Sequence, residues 1–400
     1  MTASLLAAVE MAPRDPILGV SEAFNADTNP KKVNLGIGVY CNDEGKVPVL
    51  ECIKRAEQTL AVGGAPKAYL PMDGLAAFNK AAQQMLFGPE HAAVRESRIV
   101  TVQALGGTGG LKVGADFLKR FNPGAEVWIS DPSWENHRAL FESAGFKVNT
   151  YPYYDPATTG FKYQAMLDAL RKLPRNGIVI LHACCHNPTG VDPTPAQWKG
   201  ILEVVKQQGL VPFLDIAYQG FAEDLETDAA VVRTFAAECP SVVVSSSFSK
   251  SMSLYGERIG ACSIVTGSAE EASRVLSQVK RVIRTNYSNP PTHGGTVVAT
   301  VLNSPELRAM WEAELGEMRD RIKLMRNQFV NKLAAKGAKR DFSFVNRQRG
   351  MFSYTGLSAA QVERLQKEFG IYAVSTGRIC VAALNSKNID AVVDAVAAVL

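Results

Sequence analysis

The chain has 400 residues, 46% hydrophobic and 20% charged, enough apolar sequence for a full core and two or three domains. Its formal net charge of +4 is spread without a long Lys/Arg run, which argues against nucleic acid as a partner and leaves small anions as the expected ligands. No apolar run reaches the roughly 18 residues of a membrane span, no basic residue precedes the short patch Leu5 to Val9, and the seven cysteines contain no Cys-x-x-Cys pair. These features predict a cytoplasmic protein with reduced thiols, neither exported nor membrane-inserted.

In chain order, the apolar runs Val100 to Leu105, Val127 to Ser130, Ile178 to His182, Val211 to Ile216, Val242 to Ser246 and Ile259 to Val265 predict buried strands. Helix-like stretches alternate with them. Thr194-Pro195-Ala196-Gln197 combines an N-cap, a first-turn proline and a capping-box glutamine, and predicts a helix ending near Gly209. Such alternation defines an α/β fold with a mostly parallel sheet covered on both faces. After Ser304-Pro305, apolar residues from Leu307 to Leu333 recur at three- and four-residue steps and predict one long helix before Gly337. Strand-like pieces follow at Phe342 to Val345, Met351 to Tyr354, Ile371 to Val374 and Ile379 to Val381, with a second capping box at Ser358 to Gln361 and a stop at Gly370. This predicts a smaller α+β domain reached through the long helix, with the region before about residue 48 packed against it.

Ligands of open α/β sheets bind beyond the carboxyl ends of the strands, and those ends here are rich in reactive residues. Gly106-Gly107-Thr108-Gly109-Gly110 would let backbone N–H groups approach a phosphate, although a plain strand-to-helix turn reads the same way. Asp131, about 20 residues on, raises a nicotinamide dehydrogenase as a rival. Lys112, however, stands where the dinucleotide fingerprint needs Gly or Ala, and Pro132 follows the acid. Asp215 is an acid within apolar sequence and needs a cation or donors, such as a protonated pyridine nitrogen, or else a structural salt bridge. Lys250 follows a serine-rich strand end eight residues before Arg258, a setting that lowers an amine pKa. His182, Cys184 and His186 alternate but lack a matching ligand pair nearby in sequence, so no metal is expected.

Six segments then carry a resemblance. They are Asn34-Leu35-Gly36-Ile37-Gly38-Val39-Tyr40, Ser133-Trp134-Glu135-Asn136-His137, Cys184 to Gly190 (CCHNPTG), Asp215-Ile216-Ala217-Tyr218-Gln219-Gly220, Ser247-Phe248-Ser249-Lys250 and Asn286-Tyr287-Ser288-Asn289-Pro290-Pro291. In order and spacing, from Asp15-Pro16-Ile17-Leu18 to the C-terminus, the chain resembles the class I aminotransferases of the aspartate and aromatic amino acid branch. The resemblance implies fold type I, with pyridoxal 5'-phosphate as cofactor and a homodimer with shared active sites. It also implies an N-terminal arm (1–12), a small domain (13–47 and 311–400) and a large domain (48–310).

By position, the resemblance makes Lys250 the Schiff-base lysine and proton carrier, Asp215 the partner of the pyridine nitrogen, and Tyr218 and Asn187 hydrogen-bond partners of the phenolic oxygen. Trp134 would stack on the ring. Gly107, Thr108, Ser247 and Arg258 would hold the phosphate, joined by Tyr69 of the second subunit, and His137 would support Asp215. Arg378 would bind the α-carboxylate, beside Gly38, Trp134 and Asn187, while Arg284 would reach across the dimer to a second carboxylate or swing aside for a ring. Segments such as Leu111 to Phe117, Ser251 to Glu257 and Arg349 to Tyr354 look more like the aromatic branch. The expected activity is therefore ping-pong transamination of aromatic and dicarboxylic amino acids with 2-oxoglutarate, with an aspartate-only enzyme as the alternative. A non-catalytic binding protein on this fold would need an added module, and the resemblance leaves no room for one.

Overall fold

The computed structural model describes residues 4–13, 15, 17–64 and 66–400, so Pro16 of the first resembling segment and the first three residues of the predicted arm lie outside it. A seven-stranded sheet carries the molecule: β1 (Ile99–Leu105), β2 (Val127–Asp131), β3 (Val148–Pro152), β4 (Ile178–His182), β5 (Val211–Ile216), β6 (Val242–Ser247) and β7 (Ile259–Val265). Its spatial order is β1-β7-β6-β5-β4-β2-β3. Only β7 runs against the others. The central strands β4 and β6 are buried at every position, as continuous apolar runs require when helices cover both faces.

Alternate residues feed two separate cores. Ile180, Phe213 and Val243 point to one, with Leu111, Phe141 and Val282 from α1 (Gly106–Phe121), α2 (Glu135–Ser143) and α5 (Ala269–Asn286). Leu181, Leu214 and Val244 point to the other, with Phe78, Trp311 and Phe329. Helix α1 lies close on the sheet because its contact face is glycine: a Cβ at Gly110 would sit 2.7 Å from Ser245 Oγ and 2.8 Å from Ala261 O, and one at Gly114 would sit 2.6 Å from Phe213 Cζ. Helix α3 (Pro195–Gln208) opens on the expected Thr194–Gln197 capping box and ends at Gly209 in the left-handed region, and α4 (Leu225–Glu238) packs beside it.

The long helix α6 (Pro305–Ala335) starts at Ser304, whose Oγ accepts from Leu307 N, and is followed by α7 (Ala359–Phe369) and α8 (Ile389–Val399). Two short pairings join distant segments here: Val33–Asn34 runs parallel to Ile371–Tyr372, and Phe352–Tyr354 runs antiparallel to Arg378–Cys380. The stretch Phe342 to Val345, expected as a strand, is instead part of a 3-10 turn over Ser343–Arg347. The Asp341 carboxylate accepts from Ser343 N and Oγ and closes that turn. Strand β3 was not among the expected strands.

Candidate active site

The sheet register brings the reactive strand ends together, because His182 pairs with Asp215 and Asp215 with Ser245. Ser247 stands two residues further along β6, on the same face as α1 and α2. Above this row lies a cavity of about 270 Å³ whose walls include Gly38, Gly107, Thr108, Trp134, Asn187, Asp215, Tyr218, Ser247, Lys250, Arg258 and Arg378. Residues from seven separated segments thus meet in one space.

Asp215 is buried and accepts from His137 Nε2 at 2.9 Å, while His137 Nδ1 shares a 2.9 Å hydrogen bond with Ser133 Oγ. Burial works to raise the Asp215 pKa, but the His137 hydrogen bond and the nearby charges, Lys250 among them, overturn it and hold the carboxyl below its usual value. The result is a fixed anion facing the cavity. Lys250 follows β6 by three residues, and its amine lies 5.1 Å from the centre of the Tyr218 ring. Desolvation lowers its pKa to about 8, with Asp215 opposing and Arg258 adding to the fall. About a tenth of the amine is therefore neutral at pH 7, far more than for an ordinary lysine. Tyr218 is buried, and burial pushes its hydroxyl pKa upward.

At the other end of the cavity, α1 starts at Gly106 with free N–H groups at its first turn, and Gly107, Thr108, Ser247 and Arg258 surround that end. Arg258 donates to Ser249 Oγ and Tyr255 O. Gly106, at φ 68°, gives room to the arginine, since a Cβ there would lie 2.6 Å from its Nη2. Arg378, 1% exposed, donates to Asn187 Oδ1 at 3.2 Å and Gly36 O at 2.7 Å, and its buried Nε has no partner among the described residues. Trp134 closes the side above His137, edge to face at 5.3 Å.

Besides His137, which backs Asp215 from outside the cavity walls, two expected contributors stay outside this cavity. Tyr69 is 92% exposed, and Arg284 is exposed near the end of α5, where it donates to Ser288 Oγ. Neither lines the cavity of its own chain. The cavity also has walls that sequence reasoning passed over: Ile17, Leu111, Ala217, Ser249, Tyr255 and Phe352. His182 is a further case. It was read as a packed strand residue without ligand partners, yet ligand atoms of His137, His182 and Asp215 lie within 4.8 Å of one another. Burial lowers the His182 pKa to about 3, so its ring is neutral beside Asp215.

An anion cradle at a helix start, a fixed carboxylate, an aromatic wall and a low-pKa lysine suit the phosphate, the ring nitrogen, the ring face and the aldehyde of pyridoxal phosphate respectively. This defines a fold type I pyridoxal-phosphate enzyme. The sequence profile of the Aminotransferase class I and II family matches residues 30–396, and the chain belongs to that family. It is 64% identical to an aspartate aminotransferase of Pseudomonas aeruginosa over 99% of this chain and 100% of that protein. It is also 51% identical to an aromatic-amino-acid aminotransferase of Escherichia coli, over 96% and 98%. The crystal structure of an aromatic-amino-acid aminotransferase from Burkholderia pseudomallei, covalently bound to pyridoxal phosphate, superposes with a TM-score of 0.98 at 64% identity over the full length of both chains. The protein is thus an aminotransferase that uses pyridoxal phosphate.

Proposed function

We propose that this aminotransferase acts on both aromatic and dicarboxylic L-amino acids, with 2-oxoglutarate as amino acceptor, in two half-reactions of a ping-pong cycle. Arg378 carries this reading: a buried guanidinium whose Nε has no partner among the described residues faces the Lys250 cavity, and its planar fork suits an α-carboxylate. Gly38, Trp134 and Asn187 would border the same carboxylate. Ile17, Tyr255 and Phe352 also line the cavity and offer apolar and aromatic surface that suits a ring. A second carboxylate needs another cation, and exposed Arg284 of a partner subunit would supply it. Exposed Tyr69 of that subunit would reach the phosphate.

The bound cofactor supplies an electron sink for the charge left when the substrate Cα–H bond breaks. Lys250 would hold it and, once displaced by the incoming amino group, take the Cα proton on its free amine and deliver it to the cofactor C4' carbon. Asp215, fixed by His137, would keep the ring nitrogen protonated. Tyr218 and Asn187 would donate to the phenolic oxygen, and Gly107, Thr108, Ser247 and Arg258 would hold the phosphate. Residues 13–47 and 311–400 would form a mobile small domain against 48–310, with residues 1–12 as an arm. That boundary at 311 falls inside α6, so motion would bend about a continuous helix.

The alternative is an aspartate enzyme with little aromatic activity, which the name of the 64%-identical Pseudomonas aeruginosa relative favours. Titrating the yellow holoenzyme separately with L-aspartate and L-phenylalanine decides between them. Loss of absorption between about 360 and 430 nm with growth near about 330 nm is expected with both amino acids. Conversion by aspartate alone establishes the alternative.

A further inference from the structure

Arg326 lies on α6, 3% exposed, and among the described residues it pairs with no carboxylate. Its donors go to Val345 O at 3.4 Å, Gly350 O at 2.7 Å, Phe352 O at 2.6 Å and the Ser353 hydroxyl. A buried cation satisfied only by the carbonyls and one hydroxyl of a short segment is costly, and the segment it grips is the one that presents Phe352. The Phe352 ring lies beneath the Arg378 guanidinium, 4.3 Å from ring centre to Cζ, and meets Tyr218 edge to face at 6.1 Å. Its tip fills the space a side chain at Gly38 would need, since a Cβ there would sit 2.6 Å from Phe352 Cζ. One ring therefore touches two residues placed at the substrate, Arg378 and Gly38, and one placed at the cofactor, Tyr218.

We infer that Arg326 is a positioning residue for carboxylate recognition, acting through the Gly350 and Phe352 carbonyls to hold the Phe352 ring against Arg378. The same helix also anchors the opposite side of that ring's surroundings: Arg321 donates to Cys41 O and Leu384 O, each at 2.7 Å, and so ties down the chain that follows Gly38. Helix α6 thus sets the distance between the two segments that enclose Arg378. This inference rests on Arg378 as the carboxylate site.

The test uses cofactor-loaded protein and measures KM and kcat separately for L-aspartate and L-phenylalanine, together with the cofactor spectrum. Arg326→Gln is expected to raise both KM values about tenfold, with kcat within about threefold and the spectrum unchanged, because a lost ground-state contact appears in KM. Arg326→Lys recovers part of the loss, Phe352→Leu reproduces it, and the Arg326→Gln/Phe352→Leu double variant is no worse than Phe352→Leu alone. Unchanged KM with fewer active sites would mean a purely structural arginine and overturns the inference. If Arg326→Gln does not fold, Arg326→Lys and Phe352→Leu decide, and wild-type KM in both overturns it. Arg378→Ala separates the two levels: no rise in KM there removes the carboxylate reading itself, whereas a rise there alone removes only the role of Arg326.

Discussion

At the residue scale the chemistry depends on how three charges share one cavity. Lys250 must be neutral to bond the cofactor and to accept a proton, and its pKa of about 8 reflects desolvation, partly offset by Asp215 and reinforced by Arg258. The signs follow directly. Asp215 stabilises the ammonium, so Asp215→Asn lowers the Lys250 pKa further; Arg258 destabilises it, so Arg258→Gln raises it. In cofactor-free protein, acetic anhydride labelling of the Lys250 peptide across pH, read by mass spectrometry, is expected to show a midpoint near about 8 that moves in these opposite directions. A midpoint at the ordinary lysine value of about 10.4, unmoved by either change, contradicts this account. Lys250, Asp215 and Asn187 were legible in the sequence because each is polar where its surroundings or a motif made it stand out; Arg378 came from the family resemblance alone, since by itself it reads as an exposed arginine after Gly377, whereas it is 1% exposed. Phe352 and Tyr255 were not legible, because their segments, Arg349 to Tyr354 and Ser251 to Glu257, stood out only as labels of the aromatic branch and nothing in them shows that the rings reach the cavity. His182 needed the sheet register to find Asp215.

At the element scale, periodicity located the sheet and the long helix because continuous burial leaves continuous apolar runs. Strand β3 escaped because only Val148 and Tyr151 of its five residues are buried and it ends on proline, features an edge strand tolerates. Phe342 to Val345 misled for the converse reason: Phe342, Phe344 and Val345 are buried, but from a turn closed by Asp341. The glycine-rich stretch was read for its phosphate-facing end, whereas half of its purpose is packing. Gly110→Ala places a methyl group 2.8 Å from the Ala261 carbonyl on β7 and is expected to cost about 1–3 kcal/mol. It should also weaken cofactor affinity, since α1 carries Gly107 and Thr108. Denaturant midpoints and cofactor titration measure the two effects, and wild-type values in both would show that α1 has slack against the sheet.

At the scale of the whole molecule, the exposed positions of Tyr69 and Arg284 make a definite demand. If they serve a neighbour's cavity, each site is assembled from Lys250 and Arg378 of one chain and Tyr69 and Arg284 of another. Apolar side chains near the N-terminus support such a contact, with Leu5 93% and Met11 96% exposed in the single chain. Two crippled chains then complement. A Lys250→Ala chain coexpressed with a Tyr69→Phe/Arg284→Ala chain under separate tags gives a heterodimer with one doubly damaged site and one site intact in every residue. With L-aspartate, that heterodimer is expected to show about half the wild-type activity per dimer, while both parent homodimers remain far below it. If each site were complete within one chain, the heterodimer would show only the mean of its parents. Activity near half of wild type therefore requires that residues cross between subunits.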